Sequence, residues 1–159
     1  MRKTILVGVE DLPHSDDALV WAAQAAAQRG AALRLVNATG IPTVAIDLLY
    51  DDGIIQGAAT LLEKATARVA EIAPTVPVTS DIDRRQPAEA LSDLAKDAEL
   101  LVIGTHRMSA VERVFSGSLS YQIAAGAPCP VVIVPHLPAP DAAGVVVGAD
   151  GSADSLDAV

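Results

Sequence analysis

Leu100–Leu101–Val102–Ile103–Gly104 and, after twelve intervening residues, Gly117–Ser118–Leu119–Ser120 decide how this chain folds. A short apolar run that ends in glycine predicts a buried strand with a loop at its carboxyl end. A glycine followed by hydroxyl side chains predicts a helix start. Backbone N–H groups at a helix N-terminus, backed by the positive end of the helix dipole, form an anion site. Glycine lets a phosphate come close to the main chain, and Ser118 and Ser120 can add hydroxyl donors. Strand, loop and helix N-terminus in this order predict a nucleotide-phosphate cradle.

Outward from that unit, apolar runs alternate with helical patterns. Thr4–Val9 reads as a strand and Ser15–Arg29 as a helix, with Ser15 as N-cap and Gly30 as its stop. Ala31–Ala38 reads as the second strand. Thr39 to Gly53 carries few helix signals. From about Ile54 to Ala73 a helix is predicted, with Leu61, Ala65, Val69 and Ile72 as its apolar stripe. Val76–Ile82 is a third strand, and Pro87 suits the first turn of the next helix, whose inner face is Ala88, Leu91, Leu94, Ala95 and Ala98. Leu100–Gly104, Ser116–Gly126 and Val131–Val134 complete the series as strand, helix and strand. Such alternation requires right-handed crossovers and a largely parallel sheet. The fold class is therefore α/β, a doubly wound five-stranded parallel sheet with helices on both faces. Ligands of such sheets sit beyond the strand carboxyl ends, at the topological switch point.

Composition agrees. The chain has 159 residues, 51% of them hydrophobic but only 3% aromatic, so the core must come from Ala, Val, Leu and Ile. That suits a parallel sheet covered by alanine-rich helices. The net charge of −9 argues against nucleic acid or an anionic membrane as partner. No apolar run approaches the roughly 20 residues of a membrane span. Met1–Thr4 runs straight into a strand with no signal-peptide core, and one cysteine excludes an internal disulfide framework. Together these point to a cytoplasmic protein.

The spacing Gly104, twelve residues, Gly117–Ser118 resembles the nucleotide loop of the universal stress protein family, which has the form Gly, two residues, Gly, nine residues, Gly-Ser or Gly-Thr. Val7–Gly8–Val9 leading to Ser15 and Ala18–Leu19 resembles the family's first strand and helix. Pro87–Leu91 resembles its third helix start, and Ala127–Val134 its last strand. The resemblance implies strand order 3-2-1-4-5, which puts the switch point between the first and fourth strands. It implies a stress-linked regulator with ATP, with or without Mg2+, as cofactor, and a homodimer through the last-strand edge. Carried over by position, the implied nucleotide contacts are Gly8, Val9 and Glu10 on the first loop, Ala38 after the second strand, Gly104 and Arg107 on the fourth-strand loop, and Gly117, Ser118, Leu119 and Ser120 at the helix start. Phosphates would lie on the Gly117–Ser120 amides and hydroxyls, and adenine against Ala38 and Val9.

Three positions depart from that pattern. Arg107 replaces the middle glycine, where it is either strained, if φ is positive, or able to reach a phosphate. Glu10–Asp11–Leu12 replaces Asp-Gly-Ser, so a second carboxylate stands near the phosphates and disfavours a polyphosphate. Arg85 stands where the family often has glycine. A nucleotide-free dimerisation or interaction module is accordingly the alternative reading. An enzyme, at most a slow ATPase, would have only Glu10 and Asp11 to position water.

Val147–Val159 aligns without gaps to Val7–Leu19 at an offset of 140 residues, with identities at Val147, Gly148, Ser155, Asp157 and Ala158. This predicts a family-like domain over 1–136, a linker at 137–143, and the truncated start of a second repeat at 144–159, which retains Asp150–Gly151–Ser152. A partner for the domain is then that second repeat or a second copy of the chain. Cys129, between two prolines, reads as a packing residue. His14, His106 and His136 lack metal-ligand spacing. Asp16–Asp17 and Asp51–Asp52 read as helix-start or solvated charges.

Overall fold

A computed structural model describes residues 3–40, 48–104 and 119–135. Its elements are β1 (Thr4–Gly8), α1 (Leu12–Arg29), β2 (Ala32–Ala38), α2 (Leu48–Ile72), β3 (Val78–Asp83), α3 (Pro87–Leu94) continued by a 3-10 turn (Ala95–Asp97), β4 (Leu100–Gly104), α4 (Leu119–Gly126) and β5 (Val131–Val134). The five strands form one sheet in the order β3-β2-β1-β4-β5. All four strand pairings are parallel, as the βαβ alternation requires.

Both faces of the sheet are covered, and alternate residues of each central strand serve opposite faces. Ile5, Val7, Leu33, Leu35, Leu100 and Val102 pack with Ala18, Leu19, Ala22 and Ala26 of α1 and Leu62, Ala65 and Val69 of α2. Leu6, Val36, Leu101 and Ile103 pack with Leu91 of α3, Ala95 of its 3-10 turn, and Ile123 of α4. The small side chains of α1 let it lie close on the sheet. Ala, Val, Leu and Ile thus fill a core nearly free of aromatics.

Several boundaries differ from expectation. Helix α1 begins at Leu12, not Ser15, so Ser15 is not its N-cap but lies in its interior, with its N–H donating to the Asp11 carbonyl (3.0 Å). Gly30 does end α1: its φ is +64°, and Ala31 N–H donates back to the Ala26 carbonyl (3.0 Å), the 6→1 bond of a Schellman turn. Helix α2 starts at Leu48, within the stretch expected to be irregular. Its most buried row is Ala58, Leu62, Ala65 and Val69, continued by Ala73 just past its end; Leu61 and Ile72 flank that row, half-buried. Strand β3 starts at Val78 rather than Val76. The expected helix residues Ser116–Ser118 lie outside the described residues, as do the 137–143 linker and the 144–159 stub.

Helix α3 meets expectation. Pro87 occupies its first turn, where no N–H is needed. Leu91 and Ala95 are buried, and Ala88, Leu94 and Ala98 pack beside them.

Candidate functional site

The order 3-2-1-4-5 makes β1 and β4 neighbours whose following connections leave to opposite faces, so the switch point lies between Gly8 and Gly104. The carboxyl ends of β1, β2 and β4 bring Gly8, Val9, Glu10, Ala38 and Gly104 to one edge of the sheet. Leu119, 40% exposed, and half-buried Ser120 open α4. Arg107, Gly117 and Ser118 lie outside the described residues.

Gly8 is fixed by packing. A Cβ there would stand 3.0 Å from Leu91 Cδ1 and 3.2 Å from Ile103 Cγ2, so glycine lets α3 seat against the sheet just below the first loop. Val9 is only 3% exposed and belongs to the core on the α1–α2 face. It therefore forms the floor of the site rather than an open wall. Ala38 is half-buried and pairs in register with Asp83. Glu10 is exposed.

The loops behind the site are held by named bonds. Val9 N–H donates to the Val36 carbonyl (2.9 Å), extending the β1–β2 ladder one residue past Gly8. The Val9 carbonyl then accepts from Asn37 Nδ2 (2.7 Å), and Glu10 N–H donates to Ser15 Oγ (3.3 Å). On the β2–β3 side, Thr39 N–H donates to the Asp83 carbonyl (2.8 Å) and Gly40 N–H to the Arg85 carbonyl (3.1 Å). Gln86 Nε2 returns a bond to the Gly40 carbonyl (3.1 Å). Arg85, the substitute for a family glycine, grips Asp83 through Nε (3.0 Å to Oδ1) and Nη2 (2.7 Å to Oδ2), and Asp93 of α3 through Nη1 (2.9 Å). The guanidinium's hydrogen bonds hold the Asp83 carboxyl below its ordinary pKa of 3.8. Arg85 thus ties the β3–α3 corner together.

Asn37 and Ser15 are the residues that reading by motif missed or misjudged. Asn37 had a signal. It continues the row Leu33, Leu35 on the buried face of β2, where alternation calls for an apolar residue, yet it is polar and only 9% exposed. A polar group in such a place needs a partner.

Among the described residues, no group of three or more His, Cys, Asp or Glu could hold a metal ion, and no helix is long and apolar enough to cross a membrane. Cys129 is half-buried, and burial pushes its thiol pKa up, away from the thiolate that reactivity needs.

A family model described as the universal stress protein family matches residues 1–135. A universal stress protein of Mycobacterium tuberculosis is 33% identical over 167 residues, spanning 95% of this chain and 55% of that protein. The chain therefore spans about half the length of this curated relative. A universal stress protein of Thermus aquaticus is 33% identical over 140 residues, spanning 84% of this chain and 99% of that one. Among solved structures, a universal stress protein in complex with cAMP superposes with a TM-score of 0.66 at 25% identity, over 84% of this chain and 97% of that one.

Proposed function

The chain belongs to the universal stress protein family, and on that footing we propose that it is a stress-linked regulatory protein that binds an adenine nucleotide beyond the carboxyl ends of β1, β2 and β4. One observation carries this reading: the switch point gathers Gly8, Val9, Glu10, Ala38 and Gly104 on one edge, where doubly wound sheets take their ligands. Likeness to a family structure that holds cAMP supports it. Adenine would lie against Ala38 above the Val9 floor. The phosphate would lie on the Gly117–Ser120 amides and hydroxyls, with Arg107 beside it. Occupancy would favour one conformation or dimer state by differential affinity. Residues 144–159 would begin a second repeat, supported by their match to Val7–Leu19.

The nucleotide-free alternative is favoured by Glu10 and Asp11, which put two carboxylates at the end of β1. A like charge about 5 Å from a phosphate costs roughly 3 kcal/mol at an effective dielectric of about 20. Hydrogen bonds from a helix N-terminus to an anion each return roughly 1.5–3 kcal/mol. Two or three such bonds return roughly 3–9 kcal/mol against roughly 6 kcal/mol for two carboxylates, a balance that weighs most on polyphosphates, and likeness to the cAMP-bound family structure favours the nucleotide reading.

Calorimetric titration of AMP, cAMP and ATP, each with and without Mg2+, tests it. Saturable binding is expected, weakened about tenfold by Ser118→Ala. Arg107→Gly with Asp11→Gly should tighten ATP more than AMP. Absence of binding by all three ligands would leave the interaction module as the better account.

A further inference from the structure

Val9 C=O and Glu10 N–H belong to one peptide unit, and side chains hold both of its polar ends. Asn37 Nδ2, from β2, donates to the carbonyl (2.7 Å). Ser15 Oγ, from α1, accepts from the N–H (3.3 Å). Among the described residues, Ser15 (4% exposed) and Asn37 (9%) are also the two polar residues buried in the core. Both are therefore spent on the same peptide, at the point where β1 stops and the first loop begins.

We infer that Asn37 and Ser15 are positioning residues that clamp the Val9–Glu10 peptide and so preset the first loop of the nucleotide site. A buried carboxamide or hydroxyl costs free energy unless it is paired, and an apolar side chain would fill either position without that cost. The clamp joins three elements. It sets β1's end against β2, whose next residue, Ala38, is the adenine wall, and against α1. A free peptide could rotate, and its rotation would turn Glu10 toward or away from the ligand. Holding it in advance removes an ordering cost from binding. The effect on ligand affinity rests on the nucleotide reading; the clamp itself does not.

The test compares wild type with Asn37→Ala, Asn37→Asp and Ser15→Ala. Ser15→Ala places a better helix former inside α1 and so keeps the fold. Asn37→Asp keeps the volume but, while ionised, has no N–H to give. The first readout is amide hydrogen exchange at Glu10, with Val102 in the sheet centre as reference. All three variants should speed exchange at Glu10 about tenfold or more while Val102 is unchanged. The second readout is affinity for adenosine, a probe that lacks phosphate. Each variant should weaken it about tenfold, whereas Gly57→Ala on α2 leaves it unchanged. Glu10 exchange as in wild type would overturn the clamp. So would adenosine binding at wild-type strength by Asn37→Ala. If wild type binds neither adenosine nor AMP, the nucleotide reading fails, and exchange at Glu10 alone still decides the clamp.

Discussion

Gly8 and Arg85 show how much a single position can carry beneath the site. Gly8 leaves a methyl group tight: Leu91 Cδ1 and Ile103 Cγ2 stand 3.0 and 3.2 Å from where it would go. Gly8→Ala should therefore destabilise by about 1 kcal/mol in chemical denaturation, because Leu91 and Ile103 must move aside to admit it. Arg85 acts through charge. The folded Asp83 carboxyl titrates below its ordinary 3.8, so its pairing contributes stability that is complete above that value. The contribution is lost as pH falls through the depressed folded pKa. Urea unfolding from about pH 6 to about pH 3 should show Arg85→Met less stable than wild type at the upper end, with the gap closing at the lower end. A pH-independent gap would mean that packing, not the ion pair, is what Arg85 supplies. Neither Arg85 nor Asn37 was legible as a fastener in the sequence. Asn37 and its partner are 28 residues apart, and only strand register brings them together. Gly104 and the Gly117–Ser118 pair could be singled out because their chemistry depends on local order along the chain.

At the scale of elements, the strands were the most legible part. Leu100–Gly104 and Val131–Val134 fall where their apolar runs put them: β4 is buried on both faces and has no polar residue to blur its ends, and Pro130 marks the start of the edge strand β5. Helix ends were less legible. Pro13 stands in the first turn of α1, where proline is tolerated, so the helix could begin before the apparent cap at Ser15. Gly53 closed the stretch read as poor in helix signals, yet it lies within α2, as Gly57 does. Tertiary packing of Ala58, Leu62, Ala65 and Val69 overrides them. Gly57 has nothing within 4 Å of where its Cβ would stand. Gly57→Ala should consequently raise stability by about 0.5–1 kcal/mol, read as a higher denaturation midpoint at unchanged slope. The interhelical pair of Arg68 with Asp16 (2.8 and 3.2 Å) is half-exposed on both sides and adds less than a core methyl group would.

For the whole molecule, the α/β class followed from alternation alone, whereas the strand order came from family resemblance. Hydrophobic periodicity says that a strand is buried but not which strand lies beside it. The order 3-2-1-4-5 is the fact that gives the site its place, since it sets the ends of β1 and β4 side by side and sends their connections apart. The core then serves as a rigid base for the loops at that edge. A groove of about 550 Å³ between α3 and α4, lined by Glu89, Ser92, Lys96 and Gln122 among others, includes no residue from the ends of β1, β2 and β4. It gives a built-in comparison. The most direct measurement is an amide chemical-shift titration of the isotope-labelled chain with AMP. Saturable shifts clustered at Val9, Glu10, Ala38, Gly104 and Leu119, with Ser92 and Lys96 unmoved, are the expected result. Shifts confined to the α3–α4 groove, or no saturable shift, would contradict a nucleotide site at the switch point.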